Sequence, residues 1–210
     1  MNPDTIRLTV TILQMKHKKG LCTGYIDRLY KKHFLLSDTQ EPCYFKCLLK
    51  ESIFKLPIDS MTPIIMVGAG CGIAPFIGFI EERQWLIKNK KGSYGLLELY
   101  FGCRSKDVDF LYKQKITKWK DERLLNGLHV AFSREQEVKV YVQDLLKGNK
   151  KYLYELIKDK GAIIAVCGSI ELGEGVNKAM IEILSEGKAP KAVLEELEKR
   201  GKYIMEIWNK

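Results

Sequence analysis

Gly68, Gly70 and Gly72 close an apolar run, Ile64-Ile65-Met66-Val67, and Pro75 follows them. This spacing suits anion binding. A strand that ends in a glycine turn and continues as a helix brings backbone N–H groups up to an anion, and the helix end adds partial positive charge. Pro75 falls where a first helical residue belongs, with its ring preset for a helix start. The dinucleotide fingerprint needs its third glycine where Ile73 stands, so the triplet reads G-x-G-x-G. Taken alone, it serves equally well as a tight turn.

Four later segments end in the same way. They close on Gly102-Cys103-Arg104, on Ser133-Arg134-Glu135-Gln136, on Cys167-Gly168 and on Glu206-Ile207-Trp208. In an open parallel sheet, ligands bind beyond the carboxyl ends of the strands. NAD sites place an acid on the adenosine ribose there, and NADP sites replace it with cations. Ser133 offers a hydroxyl and Arg134 a bidentate fork, which suits a 2′-phosphate. Lys139 and Tyr141 would add a charge and an aromatic face for adenine, or serve as ordinary helix surface. Cys167 alone reads as a small core residue, Trp208 as the closing of a core and Glu206 as a surface acid. Cys43, Cys47 and Cys103 are assigned to packing. His17, His33 and His129 lack partners in a catalytic pattern, and His129, in a strand, is structural.

These residues need elements to hold them. Short apolar strands are expected at 64–67, 96–102, 128–133, 162–168 and 202–208. Helices are expected near 75–89, 107–120, 138–147, 149–158, 174–185 and 190–200. The alternation predicts an α/β fold, a Rossmann-like five-stranded parallel sheet with helices on both faces. The N-terminal section differs. The alternation in IRLTVTIL predicts a strand at 6–13, and CYFKCLL another at 43–49. Between them lie a turn at 16–20, a small-residue turn at Gly20–Gly24 and a short helix to Tyr30. This section reads as part of a β domain, too short to close a barrel alone.

Composition narrows the function classes. With 210 residues and 46% hydrophobic content, the chain has material for a core and is not a disordered tail. No apolar run approaches the ~20 residues of a membrane span, and the first residues do not form a signal peptide. No C-x-x-C pair suggests zinc, so no metal is expected and a reduced, cytoplasmic protein is. The net charge is +9, and the excess is denser near Lys16, Lys18, Lys19, Lys31 and Lys32. It fits a solvated surface, an acidic partner or a phosphorylated ligand. No motif supports nucleic acid.

Five segments carry a more specific signal: IIMVGAGCGIAPFIGFIEER, LYFGCRSKDVDFLY, AFSREQEVKVYVQDLL, AVCG and YIMEIW. In order, they resemble the NADP-binding region of the diflavin reductases, over essentially all of residues 62–208. GLCT at 20–23 resembles that family's turn at the FAD pyrophosphate, and IFKLP resembles the end of its FAD domain. The resemblance implies that residues 1–61 are the C-terminal part of an antiparallel FAD-binding barrel, incomplete here, and residues 62–210 the NADP(H)-binding domain of a ferredoxin–NADP reductase-type module. It implies that Arg104, Ser133, Arg134, Lys139, Tyr141 and Gln143 hold the adenosine and phosphate half of NADPH. Gly68, Gly70, Cys71 and Gly72 would face the pyrophosphate and nicotinamide. Gly20, Leu21, Cys22 and Thr23 would face FAD. Cys167 would lie near the nicotinamide, Trp208 would stack on the flavin, and Glu206 would orient or charge-balance Cys167.

The activity so implied is hydride transfer from NADPH to FAD. Electrons would then pass through FMN, in a flavodoxin-like domain or protein outside this chain, to a haemoprotein or other acceptor. A parent protein could carry an anchor to the endoplasmic reticulum. Three departures stand out. The R-x-Y-S flavin segment and an FMN region are absent from this sequence, Cys71 replaces the family's Thr, and Ser169-Ile170-Glu171-Leu172-Gly173 replaces its D-x-x-x-M. They keep a rival open: a non-catalytic NADP(H)-binding module with an incomplete flavin site.

Overall fold

The structure, a computed structural model, describes residues 5–14, 16, 18–35, 44, 46–90 and 92–208. They fall into two compact units, one of residues 6–52 and one of residues 53–208 together with Thr5.

The larger unit is built on five parallel strands: β1 (Ile64–Ala69), β2 (Leu97–Cys103), β3 (Gly127–Phe132), β4 (Ile163–Ser169) and β5 (Tyr203–Trp208). Their spatial order is β3-β2-β1-β4-β5. The chain builds outward from β1 to β3, then crosses to the other side of β1 to lay down β4 and β5. The order therefore reverses between β1 and β4, where a doubly wound sheet opens a crevice. The first five residues of β1 are buried, as a central parallel strand covered on both faces requires.

Two hydrophobic cores cover the sheet. On one face, α2 (Ala74–Asn89) and α3 (Lys113–Asp121) bring Phe76, Ile77, Ile80, Ile116 and Trp119 onto Met66, Leu99 and Phe101. On the other, α4 (Val142–Gly148), α5 (Lys150–Lys158), α6 (Ile170–Leu184) and α7 (Pro190–Lys199) bury Leu146, Leu153, Val176, Met180 and Leu194 against Ile65, Val67, Ile164 and Val166. One polar cluster crosses the second core. Glu98, 3% exposed, accepts a hydrogen bond from the Tyr152 hydroxyl at 2.7 Å and lies 3.2 Å from His129 Nε2. Asn149 donates to the Tyr100 hydroxyl, and the Tyr100 and His129 rings stack at 4.2 Å. Gly127 stands opposite Glu98, and a Cβ there would strike its carboxylate. His129 is thus structural, as its place in a strand suggested.

The smaller unit carries α1 (Leu21–Tyr30), which runs into a π-helical turn at Lys31–Leu35. The strand expected at 6–13 does not form, and the described residues of 43–49 contain none. Alternation shows which side chains would share a face, but a strand also needs a partner to take its N–H and C=O groups. Around 6–13 the described pairing is one antiparallel bridge, Gln14 to Lys19. The turn expected at Gly20–Gly24 is helical from Leu21 onward. Cys47 is exposed, against its assignment to packing, whereas Cys103 is buried. Cys43 and His17 lie outside the described residues.

Three helix starts also differ. Helix α3 begins at Lys113, not near 107, because Asp109 draws the preceding segment into a loop and Tyr112 takes a left-handed φ of 55°. Helix α4 begins at Val142, not near 138. Helix α6 begins directly at Ile170, because the Ser169 hydroxyl accepts from the Leu172 N–H at 3.4 Å as an N-cap. The segment that departs from the family pattern after Gly168 is therefore the first turn of a helix.

Candidate functional site

The carboxyl ends of all five strands lie along one edge, and the expected site residues of the larger unit collect there. After β1 the chain makes a 3₁₀ turn, Gly70–Ile73, and enters α2 with Pro75 in the first turn. Two glycines of the turn have distinct tasks. Gly70 has a φ of 55°, and a Cβ there would meet nothing within 4 Å, so its surroundings are open. Gly72 lies so close to β4 that a Cβ would come 2.0 Å from the Cys167 carbonyl oxygen. The turn is therefore packed into the β1–β4 switch point and presents Gly70 and Cys71 at its surface.

Cys167 pairs in register with Gly68 on one side and Glu206 on the other. Register partners share a face, so Cys167, Glu206 and, two residues on, Trp208 belong to the face that α2 also covers. Cys167 is 4% exposed, and its thiol is pushed up to about 12 by burial, with Glu206 and Cys71 adding to the effect. At neutral pH it is a protonated thiol beside a carboxylate. Glu206 is exposed and Trp208 is 37% exposed. The packing reading of Cys167 and its place at the strand end are both correct: it is a core residue at the switch point.

The β2 and β3 ends are joined. The Ser133 N–H donates to the Cys103 carbonyl at 3.0 Å and the Arg134 N–H to that of Arg104 at 2.9 Å, so pairing runs past both strands. Arg104 is fixed by Asp109. Its Nε donates to Oδ2 at 2.9 Å, and its own amide and that of Ser105 donate to Oδ1, each at 2.9 Å. Burial alone would raise the Asp109 carboxyl, but these donors outweigh it and hold the group below its ordinary value. Glu135 crosses to the β2 loop, where it accepts from the Ser105 hydroxyl at 3.0 Å and from the Lys106 amide. The Gln136 amide turns back onto the Phe132 carbonyl at 2.6 Å.

This bonding leaves cations over. Arg134 and Lys139 are exposed and make no ion pair among the described residues. Tyr141, 45% exposed, precedes α4, where its N–H donates to the Asp144 carboxylate at 2.8 Å. Gln143 lies over α6: a Cβ on Gly175 would come within 3.2 Å of its amide. The structure thus joins Arg104, Ser133 and Arg134 in one bonded assembly and sets Gln143 against a helix. Sequence reasoning missed Asp109, Glu135 and Ser105. The sequence carried no signal for them, since their donors are mainly backbone amides whose approach only the fold decides.

The donor set fits a phosphorylated nucleotide. It has two arginines, a lysine and a serine hydroxyl, and its two acids are already occupied by internal donors. In the smaller unit, Gly20–Thr23 form the cap and first turn of α1. There the Thr23 hydroxyl accepts from the Leu13 N–H at 3.1 Å, while Leu21 and Cys22 are exposed. No group of acids, cysteines and histidines arranged to hold a metal occurs among the described residues, and no described helix is long and apolar enough to cross a membrane.

The family model for the oxidoreductase NAD-binding domain matches residues 66–178, from β1 into α6. The NADPH–cytochrome P450 reductase of Sus scrofa is 34% identical over 220 residues, covering 100% of this chain and 32% of its own length. That of Homo sapiens is 42% identical over 216 residues with the same coverage. That of Bos taurus is 42% identical over 167 residues, 77% of this chain and 24% of its own length. The chain therefore spans about a third of the curated relatives it matches over its full length.

Proposed function

The chain belongs to the oxidoreductase NAD-binding domain family, and from that premise we propose that its larger unit binds NADP(H) for an NADPH-dependent flavoprotein reductase. The carrying observation is the joined β2–β3 edge, where Ser133 and Arg134 are stitched to Arg104 and the neighbouring acids are engaged. Arg134, Ser133 and Lys139 take the 2′-phosphate, Arg104 and Tyr141 flank the adenosine, and Gln143 supports this half from α4. Gly68, Gly70, Cys71 and Gly72 take the pyrophosphate and the start of the nicotinamide half.

When bound, NADPH supplies a hydride and FAD accepts it; the redox chemistry is the cofactors' own. The residues of this chain position the partners. Cys167 offers a neutral thiol at the switch point, Glu206 would balance charge beside it, and Trp208 would supply a ring to stack on the flavin. Gly20, Leu21, Cys22 and Thr23 border the flavin pyrophosphate. Onward transfer would need an FMN or flavodoxin-like partner and a haemoprotein or similar acceptor, in keeping with relatives named as reductases of cytochrome P450. A second reading follows from the smaller unit, whose described residues contain no strand. On that reading the chain by itself binds NADP(H) but holds FAD weakly.

The test is a calorimetric comparison of NADP⁺ and NAD⁺ binding with Arg134→Ala. A charge-assisted bond is worth about 1.5–3 kcal/mol, roughly 10- to 150-fold in affinity. NADP⁺ should weaken by that factor and NAD⁺ by much less. Equal losses for both nucleotides would remove the assignment. A spectrum taken after incubation with excess FAD and removal of free ligand separates the two readings: retained flavin supports the reductase, and a colourless chain that binds NADP⁺ supports the module.

A further inference from the structure

The reading of the β2–β3 edge as the 2′-phosphate site, on which this inference rests, leaves a conflict. An acid beside a phosphate repels it, yet Asp109 and Glu135 stand among Arg104, Ser133 and Arg134. Asp109 is accounted for by its three donors, which hold the Arg104 side chain and the start of its loop. Glu135 does something different. It belongs to the loop after β3, and its Oε1 accepts from the Ser105 hydroxyl at 3.0 Å and the Lys106 amide, both in the loop after β2.

Arg134 is the immediate neighbour of this cross-link. Its backbone is fixed on the other side by the bond from its amide to the Arg104 carbonyl. Two ties thus border one exposed guanidinium. A preorganised cation loses less on binding than one carried by a free loop.

We propose that Glu135 is a positioning residue that determines nucleotide specificity. Its carboxylate pins the β3 loop to the β2 loop, so that Arg134 and Arg104 are held ready for a nucleotide with a 2′-phosphate over one with a free 2′-hydroxyl. Glu135 does this without touching the nucleotide.

Charge and cross-linking predict opposite signs. If Glu135 acts only as a local negative charge, its removal relieves repulsion, and NADP⁺ binds more tightly to both Glu135→Gln and Glu135→Ala. If it acts as a cross-link, Glu135→Ala releases the loops and weakens NADP⁺. Glu135→Gln keeps an acceptor oxygen for Ser105 and Lys106 and retains the preference.

The experiment is calorimetric titration of the whole chain with NADP⁺ and with NAD⁺, for the unaltered protein and both variants, with a thermal melt of each. Glu135→Ala should lower NADP⁺ affinity about tenfold and change NAD⁺ affinity less than about twofold. Glu135→Gln should stay within about threefold of the unaltered protein for both. Should Glu135→Ala not fold, Ser105→Ala removes one donor of the same cross-link and should lower NADP⁺ affinity about threefold with NAD⁺ unchanged. The proposal is overturned if Glu135→Ala (or Ser105→Ala in its place) keeps or strengthens the NADP⁺ preference, if the glutamine variant loses as much as the alanine variant, or if both nucleotides weaken alike. Absence of any NADP⁺ preference in the unaltered protein would instead refute the site reading itself, and this proposal with it.

Discussion

A thiol sealed at the end of a sheet keeps its proton. Burial pushes both Cys103 and Cys167 up to about 12, whereas Cys22 and Cys47 are exposed. The thiolate is the nucleophile in alkylation. At pH 8, iodoacetamide should therefore label Cys22 and Cys47 in the folded protein and leave Cys103 and Cys167 unlabelled, which peptide mass spectrometry can read. Rapid labelling of Cys167 would contradict its burial at the switch point. The same shift links stability to pH. A thiol raised above its unfolded value of about 8.5 contributes fully below that pH, and the contribution is lost as pH rises toward about 12. Unfolding free energy should fall between pH 9 and 11, by up to about 1.4 kcal/mol per pH unit for each such thiol, and Cys167→Ser should flatten the decline. At this scale the sequence was legible as placement: Arg134 was expected just past a strand end, and it follows β3 there as an exposed cation. Asp109 and Glu135 were not legible, because an acid in a cationic loop argues against a phosphate until its donors are seen.

At the scale of elements, the five strands of the sheet could be read to within one or two residues, because buried parallel strands are short apolar runs with glycine-rich ends. Helix starts were less legible, since hydrogen bonds and not periodicity decide them. Asp109 delays α3, and Ser169 advances α6. The strand expected at 6–13 failed because alternation does not supply a pairing partner. The switch point is the least forgiving junction. Gly72→Ala would put a Cβ 2.0 Å from the Cys167 carbonyl oxygen, and overpacking of this kind costs about 1–3 kcal/mol or more. Chemical denaturation should show that loss together with weakened NADP⁺ binding; an alanine tolerated without cost would mean that the turn does not pack against β4. Tyr152→Phe makes the contrasting test. It removes a hydrogen bond to the buried Glu98 carboxylate near the amino end of β2, away from the site. It should cost about 1.5–3 kcal/mol of stability and leave the nucleotide preference unchanged.

At the scale of the molecule, the two units read differently in sequence and in structure. Residues 53–208 are specified locally and globally in the same sense: apolar strands, the helices between them and small residues at strand ends all describe one doubly wound sheet. Residues 6–52 carry β-rich segments that find one described bridge, beside a helix and a π-helical turn. The account therefore stands on the larger unit and on where its ligand lies. An NMR titration of the isotope-labelled whole chain with 2′,5′-ADP, a ligand that carries the adenosine and both phosphates but no nicotinamide, tests this most directly. The account predicts the largest amide shifts at Arg104, Ser133, Arg134 and Lys139, with smaller ones at Tyr141 and little change at Cys167 or around Glu98. Shifts centred at the amino ends of the strands, or no saturable shifts at all, would contradict it.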